Sequence, residues 1–119
     1  MIESYRNLIV WQKSIELVKL IYQMTRDFPK EEAYGLTSQM RRAAVSIPSN
    51  IAEGSRRGSR KDFRSFLLNA FGSGAELETQ VVIAKKLSLG KNMDYGEIDD
   101  ILNEIMRMLN TMTRELKSE

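Results

Sequence analysis

The sequence predicts an all-α protein that folds as an up-down-up-down antiparallel four-helix bundle, with residues 1–119 forming a single domain. Four long segments carry apolar residues at every third or fourth position, which is the period of a helix with one buried face. The chain has two prolines and seven glycines in 119 residues, so long elements have few interruptions. No segment alternates apolar and polar residues as a half-buried strand does. The predicted helices span about 8–28, 37–54, 60–89 and 95–117, and short connections favour antiparallel neighbours.

The first predicted helix carries a wide apolar face. One apolar stripe repeats at spacings of three and four, and further apolar residues widen it, so we expect contacts with more than one neighbour. Phe28 precedes Pro29 and should end the helix, because the residue before a proline disfavours the helical backbone. The stripe consists of Leu8, Trp11, Ile15, Val18, Tyr22 and Thr25, and it is widened by Leu17, Leu20, Ile21 and Met24.

The second predicted helix contains a proline. Thr37 or Ser38 could cap its start, and Pro48 must leave the carbonyl of Ala44 without its usual helical partner. The apolar face keeps its phase across Pro48, so we expect a kinked helix; two short helices are the alternative. Nearby Ser46, Ser49 and Asn50 carry side chains that can bond locally to backbone carbonyls. The apolar face consists of Leu36, Met40, Ala43, Ile47, Ile51 and Gly54.

The third predicted helix begins with a capping box at Ser59 and Asp62. Its apolar residues alternate at spacings of four and three, a heptad pattern typical of near-antiparallel packing. Gly72 and Gly74 each cost roughly 1 kcal/mol in a helix relative to alanine. We expect them to allow close helix approach, and a ligand pocket is the less favoured explanation. The heptad residues are Phe63, Leu67, Ala70, Gly74, Leu77, Val81 and Ala84.

The last connection and the fourth helix also carry capping signals and an apolar stripe. Gly90 is predicted to end the third helix as its left-handed capping residue. Asp94 and Glu97 form a second capping pattern before the fourth helix. The apolar residues of that helix are Ile98, Leu102, Ile105, Leu109, Met112 and Leu116.

Composition excludes the commonest kinds of catalytic site. The chain has no cysteine and no histidine, which removes thiol chemistry, histidine general bases and the Glu-x-x-His pairs of di-iron bundles. Ser73 lies between two glycines, but helix packing explains it better than a nucleophile turn. The basic turn Gly54–Ser59 lacks the Gly-Lys-Ser/Thr end of a phosphate loop. We therefore predict no enzymatic activity, no cofactor, no metal and no small-molecule substrate.

Two further expectations concern metal ions and cell compartment. Glu97, Asp100 and Glu104 share one helix face, so a divalent-ion site is an alternative to the simpler interpretation, an acidic helix start that complements the helix dipole. The chain shows no signal peptide and no apolar run near the length that crosses a bilayer. A cysteine-free chain suits a reducing compartment, so the cytoplasm is the expected location, with no membrane partner.

Positive charge is concentrated in one part of the chain. Residues 41–64 hold seven basic and two acidic residues, a net charge of +5, although the whole chain carries only +2. Arginine forks suit phosphate pairs, so these residues are candidates for binding the phosphate backbone of a nucleic acid. No aromatic stacking set interleaves with these arginines in the sequence, so sequence-specific recognition of single strands is not expected. The candidate residues are Arg41, Arg42, Arg56, Arg57, Arg60, Lys61 and Arg64.

Other interpretations of the same charges remain open. Clusters of charged residues are often simply solvated surface, and the arginines could instead meet an acidic protein partner in a scaffold or adaptor. Glu53 could pair with Arg56 or Arg57, or with Arg41 or Arg42. Arg41 and Arg42 should lie roughly 20 Å from the turn at 1.5 Å per residue, so the basic surface could be one stripe or two patches.

Several motifs together resemble a known protein family. They are Trp11-Gln12-Lys13, Phe28-Pro29 with Glu32 and Gly35-Leu36, the run Gln39–Ala44 (QMRRAA), the run Ser46–Gly54 (SIPSNIAEG), and Gly72-Ser73 with Glu76-Leu77. With these motifs the chain resembles the bacterial 23S rRNA intervening-sequence protein family, also called four-helix bundle proteins. The resemblance reaches from the start of the chain to about residue 84, and the fourth helix matches only in pattern.

The resemblance implies a fold and an assembly more than an activity. The family takes its name from reading frames within intervening sequences of 23S rRNA genes. Its members resemble the accessory variability protein of diversity-generating retroelements, a basic ring of five bundles that binds nucleic acid and a reverse transcriptase. By that similarity this chain is expected to form a homo-oligomer, with a homopentamer as the implied number. RNA or another nucleic acid is the implied partner.

Overall fold

Four helices form the body of the protein. The structure, a computed structural model, describes residues 4–90 and 94–117. The helices are α1 (Ile9–Thr25), α2 (Leu36–Ser55), α3 (Arg60–Lys86) and α4 (Tyr95–Lys117), and short 3-10 turns occupy Tyr5–Asn7 and Lys30–Glu32. The all-α four-helix bundle predicted from the sequence is confirmed. The first and third helices each end three residues earlier than predicted.

The buried core follows the heptad pattern in three of the four helices. In α3 the predicted residues Leu67, Ala70, Leu77 and Ala84 have no exposed surface. In α1 the predicted stripe is wrong by about one position, because the residues thought to widen the face form the core. Ile15 and Tyr22, from the predicted stripe, are instead 43% and 40% exposed. The buried residues of α1 are Val10, Ser14, Leu17, Leu20, Ile21, Met24 and Thr25.

Contacts between consecutive helices run in opposite order along the two partners. The end of α2 meets the start of α3, where Gly54 faces Phe63 and Phe66. Farther along, the hydroxyls of Ser46 and Ser73 share a hydrogen bond of 2.8 Å. These two contacts place α2 and α3 antiparallel, and they confirm that Ser73 is a helix-packing residue.

The contacts between α3 and α4 also run in opposite order along the two helices, and α1 packs against α4 to complete the bundle. Lys85 and Asp99 form an ion pair of 2.6 Å near one end, and Gly74 packs directly against Met106 farther along. The ion pair between Lys13 and Glu104, at 3.0 Å, joins α1 to α4. Gly74 thus allows close helix approach as predicted. Gly72 does not, because a Cβ atom added there would meet nothing within 4 Å.

Helix α2 passes through Pro48 as one helix, so the alternative of two short helices is not what forms. Pro48 itself is buried between its neighbours. The side-chain amide of Asn50 donates to the carbonyl of Ser46 at 2.8 Å and to the Ser46 hydroxyl at 2.9 Å. Asn50 is therefore a local hydrogen-bond partner within the helix, and the kink at Pro48 stays a prediction.

The start of α2 differs from its prediction. Gly35 is the residue before the helix, and because glycine has no side chain, it makes no side-chain capping bond. The carboxylate of Glu32 instead accepts from the backbone N–H of Leu36 at 3.4 Å. Thr37, one of the two predicted caps, is buried and its hydroxyl has no hydrogen-bond partner. The preceding 3-10 turn therefore takes the capping role through Glu32.

The end of α3 is a Schellman motif centred on Ser88, so the prediction of Gly90 as the capping residue is wrong. The backbone N–H of Leu89 donates to the carbonyl of Ala84, and that of Ser88 donates to the carbonyl of Lys85, both at 3.0 Å. These are the two bonds that define the motif. Ser88 has φ of 55°, the left-handed conformation that a residue with a side chain adopts at a cost.

Replacing Ser88 with glycine should stabilise the protein. Glycine adopts the left-handed conformation without steric cost, and we expect the free energy of unfolding to rise by about 0.5–1 kcal/mol. Urea unfolding followed by far-UV circular dichroism would measure the change. Ser88→Ala keeps the steric cost and serves as the control, so equal stability of the two variants would contradict the expected relief.

Candidate nucleic-acid interface

Five of the seven predicted binding residues lie at one end of the bundle. They belong to the turn between α2 and α3 and to the first turns of α3. The fold brings two other segments to the same end. They are the last turns of α4, where Thr113 and Glu115 contact Arg64 and Arg60, and the turn Tyr5–Asn7, where Tyr5 lies under Arg56. We name this surface the basic end; its basic residues are Arg6, Arg56, Arg57, Arg60, Lys61, Arg64, Arg114 and Lys117.

The basic end is cationic even when its acidic residues are included. Glu53, Asp62 and Glu115 lie there too, against eight basic residues. Arg6, Arg114 and Lys117 were not predicted as binding residues, because they lie far from residues 41–64 in the sequence. The basic last turn of α4 is the sequence signal that, combined with antiparallel pairing, could have identified Arg114 and Lys117. Arg6 is placed by the Tyr5 ring, which it shares with Arg56.

Arg57 forms the ion pair that sequence spacing suggested. Its Nη2 lies 2.8 Å from the carboxylate of Glu53, one turn earlier, and its guanidinium lies 4.8 Å from the ring centre of Phe66. Both partners of the ion pair are about half exposed, and pairs of this kind contribute about 0.3–0.5 kcal/mol. Since the arginine has five N–H donors, it keeps donors for a phosphate.

Arg60 and Arg64 reach across to the end of α4. The Nε of Arg64 donates to the carbonyl of Thr113 at 2.9 Å, and the Nη2 of Arg60 donates to the carbonyl of Glu115 at 3.4 Å. These carbonyls lie in the last turns of the helix, where cationic side chains are favourable because of the helix dipole. Both arginines therefore join α3 to α4 as well as adding charge to the basic end.

Arg41 and Arg42 lie far from the basic end. Arg41 donates to the Thr25 hydroxyl at 2.8 Å and lies 4.4 Å from the ring centre of Tyr22, so it joins α2 to α1. Arg42, the next residue in the chain, is exposed. Arg41 and Arg56 are fifteen positions apart in the sequence, which corresponds to roughly 20 Å along the helix. The seven predicted residues thus fall into two groups and do not form one cluster.

Aromatic rings lie next to several of the arginines in the fold, although no aromatic stacking set interleaves with them in the sequence. Arg56 and Arg6 lie 5.4 Å and 5.8 Å from the ring centre of Tyr5, within the range of cation–π attraction. Tyr5 in turn packs edge-on against Trp11, with ring centres 5.4 Å apart. The aromatic partners of Arg41 and Arg56 come from α1 and the turn before it, so sequence adjacency could not reveal them.

The acidic start of α4 has a structural explanation. Asp99 pairs with Lys85, and Glu104 pairs with Lys13. Within residues 4–90 and 94–117, no three acidic side chains are grouped so that they could hold a metal ion. Tyr95 donates to the carbonyl of Leu89 at 2.8 Å, and burial, with the nearby Asp99 carboxylate, raises the pKa of its phenol.

The helices of the described segments are too polar or too short to cross a membrane.

Comparison with known proteins identifies the family. No curated protein matches the sequence. The family model described as "23S rRNA-intervening sequence protein" matches residues 6–111, which include α1, α2, α3 and most of α4. The match covers the arginine-rich turn and the proline-containing helix, and far more than half of the chain. The chain therefore belongs to the 23S rRNA-intervening sequence protein family.

Proposed function

We propose that this protein is a non-enzymatic RNA-binding protein whose basic end contacts the phosphate backbone of structured RNA. The observation that carries the proposal is the convergence of eight basic residues from three separate segments on one end of the bundle. The family to which the chain belongs is named for intervening sequences of 23S rRNA. This name favours RNA over other polyanions as the ligand.

Phosphate binding at this end follows from the chemistry of its side chains. Arg56, Arg57, Arg60 and Lys61 are exposed, and guanidinium groups pair with phosphate oxygens in a bidentate geometry. Each phosphate that is neutralised releases condensed counterions, so binding gains affinity at low salt. Contacts of this kind position the protein on RNA without reading base identity.

We propose further that the protein acts as a homo-oligomer, with a pentamer as the number implied by family resemblance. Helix α3 and the residue that follows it expose four large apolar side chains, which self-association could cover. Self-association would repeat the basic end several times around one particle, and several weak contacts to one RNA would then add up to stronger binding. The exposed apolar residues of α3 and its end are Leu68, Val82, Ile83 and Leu87.

The test is an electrophoretic mobility shift of a structured RNA hairpin at several salt concentrations. With about five phosphate contacts, we expect affinity to fall by roughly two to three orders of magnitude between about 50 mM and about 200 mM salt. Light scattering on the same samples would give the mass of the free and bound particles. Absence of a shift at low salt, or a shift that salt does not weaken, would overturn the proposal.

A protein–protein scaffold without a nucleic-acid role is the second candidate, and the exposed apolar side chains of α1 and α3 favour it. In that case the arginines would meet an acidic surface of a neighbouring molecule. Reversing the charges of Arg56, Arg57 and Arg60 discriminates between the two. A scaffold predicts that the oligomer dissociates and that any mobility shift of RNA seen with the original protein is unaffected. RNA binding at the basic end predicts that the mobility shift disappears.

A further inference from the structure

A long groove runs along the outer surface between α1 and α2. It consists of two adjoining depressions that share Val45 as a lining residue. One depression begins at Tyr5 and Trp11, next to the basic end, and the other extends past Tyr22 to Tyr34. We propose that this α1–α2 groove binds a single-stranded RNA segment by base stacking, an inference that rests on the proposed RNA binding of the basic end.

The floor of the groove is apolar and accessible. Ile15 is 43% exposed and Val45 is 40% exposed, the half-buried Val18 lies beside them, and the buried Pro48 lies at the base of the depression. Such residues present flat, uncharged surfaces that suit the faces of unpaired bases. A duplex cannot use this floor, because its bases are stacked inside the helix and only its phosphates and groove edges reach a protein.

Aromatic rings line both halves of the groove. Trp11 and Tyr5 lie edge-to-face at one end, and Tyr22 lies in the other half. Tyr34 is 99% exposed, so almost the whole ring is available to a ligand. Bases stack on such rings whatever their identity, because every base has a π face.

Positive charge at both ends of the groove favours a nucleic acid over an apolar peptide. Arg41 and Arg42 line the half that contains Tyr34. Arg56 lies over the ring of Tyr5 at the other end. An apolar floor with arginines at both ends, roughly 20 Å apart, suits a strand whose bases face inward and whose phosphates reach cations at each end. Arginine planes over the tyrosines also offer stacking surfaces of their own.

Trp11 provides a direct readout of the groove, because it is the single tryptophan of the chain and lines the groove. A short oligouridylate, which remains unpaired, would be titrated into the full protein while tryptophan emission is recorded. We expect saturable quenching by the oligouridylate. A blunt RNA duplex should bind through the basic end in a mobility shift and leave the emission nearly unchanged.

Tyr34 provides the matched variants. Removing the ring on which one base stacks weakens single-strand binding by about fivefold to 150-fold, so Tyr34→Ala should bind more weakly by a factor in this range. Tyr34→Phe keeps the ring and should bind as the original protein does. Thr111→Ala changes an exposed residue of α4, outside the groove and outside the apolar surface of α3, and should have no effect. Because Tyr34 is fully exposed, these changes leave the core intact.

The outcomes separate this inference from the proposal on which it rests. If the duplex shifts at low salt but the oligouridylate neither quenches Trp11 nor depends on Tyr34, the groove inference is wrong and RNA binding at the basic end stands. If neither RNA binds, both fail. If tryptophan emission changes with protein concentration alone, a second copy of the chain covers the groove, and single-strand binding there is overturned.

Discussion

Replacing Arg56, Arg57 and Lys61 together with glutamine should weaken binding of structured RNA by about tenfold to a hundredfold at low salt. The three side chains are exposed at the basic end, and removing one cation that binds a phosphate lowers the slope of log affinity against log salt by about 1. We therefore expect the slope to fall by about 3 for the triple variant. Fluorescence anisotropy of a labelled RNA hairpin, measured over a salt series, would give both quantities.

The control for this variant removes the same charge elsewhere. Lys19, Lys30 and Lys86 are exposed and lie away from the basic end, so their replacement with glutamine tests net charge without touching the proposed binding residues. The control should keep most of the affinity. Equal weakening in both variants would show that overall charge, and not the placement of the arginines, determines binding.

Adding one methyl group at Gly54 should destabilise the protein, whereas the same change at Gly72 should stabilise it. A Cβ atom at position 54 would lie 2.6 Å from the Cβ of Phe66, which is fixed to the α3 backbone, so α2 and α3 would have to separate. Overpacking of this kind costs about 1–3 kcal/mol. At Gly72 a Cβ atom meets nothing within 4 Å, so Gly72→Ala should gain about 1 kcal/mol from helix propensity.

Urea unfolding at matched protein concentration would measure both glycine variants, because the proposed self-association would make stability depend on concentration. The two changes are chemically identical, so differences in their effect report the surroundings of each glycine. A Gly54→Ala variant as stable as the original protein would contradict the close approach of α2 to α3.

The periodicity of apolar residues is sufficient to predict the helices, but it does not always predict which face of a helix is buried. In α3 and α4 the apolar residues at heptad spacing are all buried or half-buried, so their burial follows directly from spacing. In α1 the apolar face is so wide that two neighbouring stripes fit the helical period, and only packing decides between them. Ile15 and Tyr22 are therefore exposed although Leu17 and Ile21 are fully buried.

Local chain geometry sets a second limit on prediction. Gly90 is the natural candidate for the left-handed position that ends α3, because glycine adopts it freely. Ser88 occupies that position instead, two residues earlier. Gly90 also has positive φ, of 64°, so the sequence correctly links this glycine to a turn but not to the end of the helix.

The sequence predicts only those parts of the candidate interface whose residues are close together along the chain. The charge cluster in residues 41–64 is visible in the sequence, and its division into two groups is one of the two arrangements that the sequence leaves open. The convergence of Arg6 and Arg114 with Arg56 depends on antiparallel pairing of helices far apart in sequence. The contacts of Arg56 with the Tyr5 ring and of Arg41 with the Tyr22 ring depend on the packing of α2 against α1 and the turn before it.

The central claim, that the basic end binds RNA, is tested most directly by hydrogen exchange with and without a structured RNA hairpin. Mass spectrometry of peptides would locate the amides that RNA protects. Protection concentrated in residues 55–64 and in the last turns of α4 would agree with binding at the basic end. Protection concentrated in residues 94–104, at the acidic start of α4, with none at the turn between α2 and α3, would contradict it.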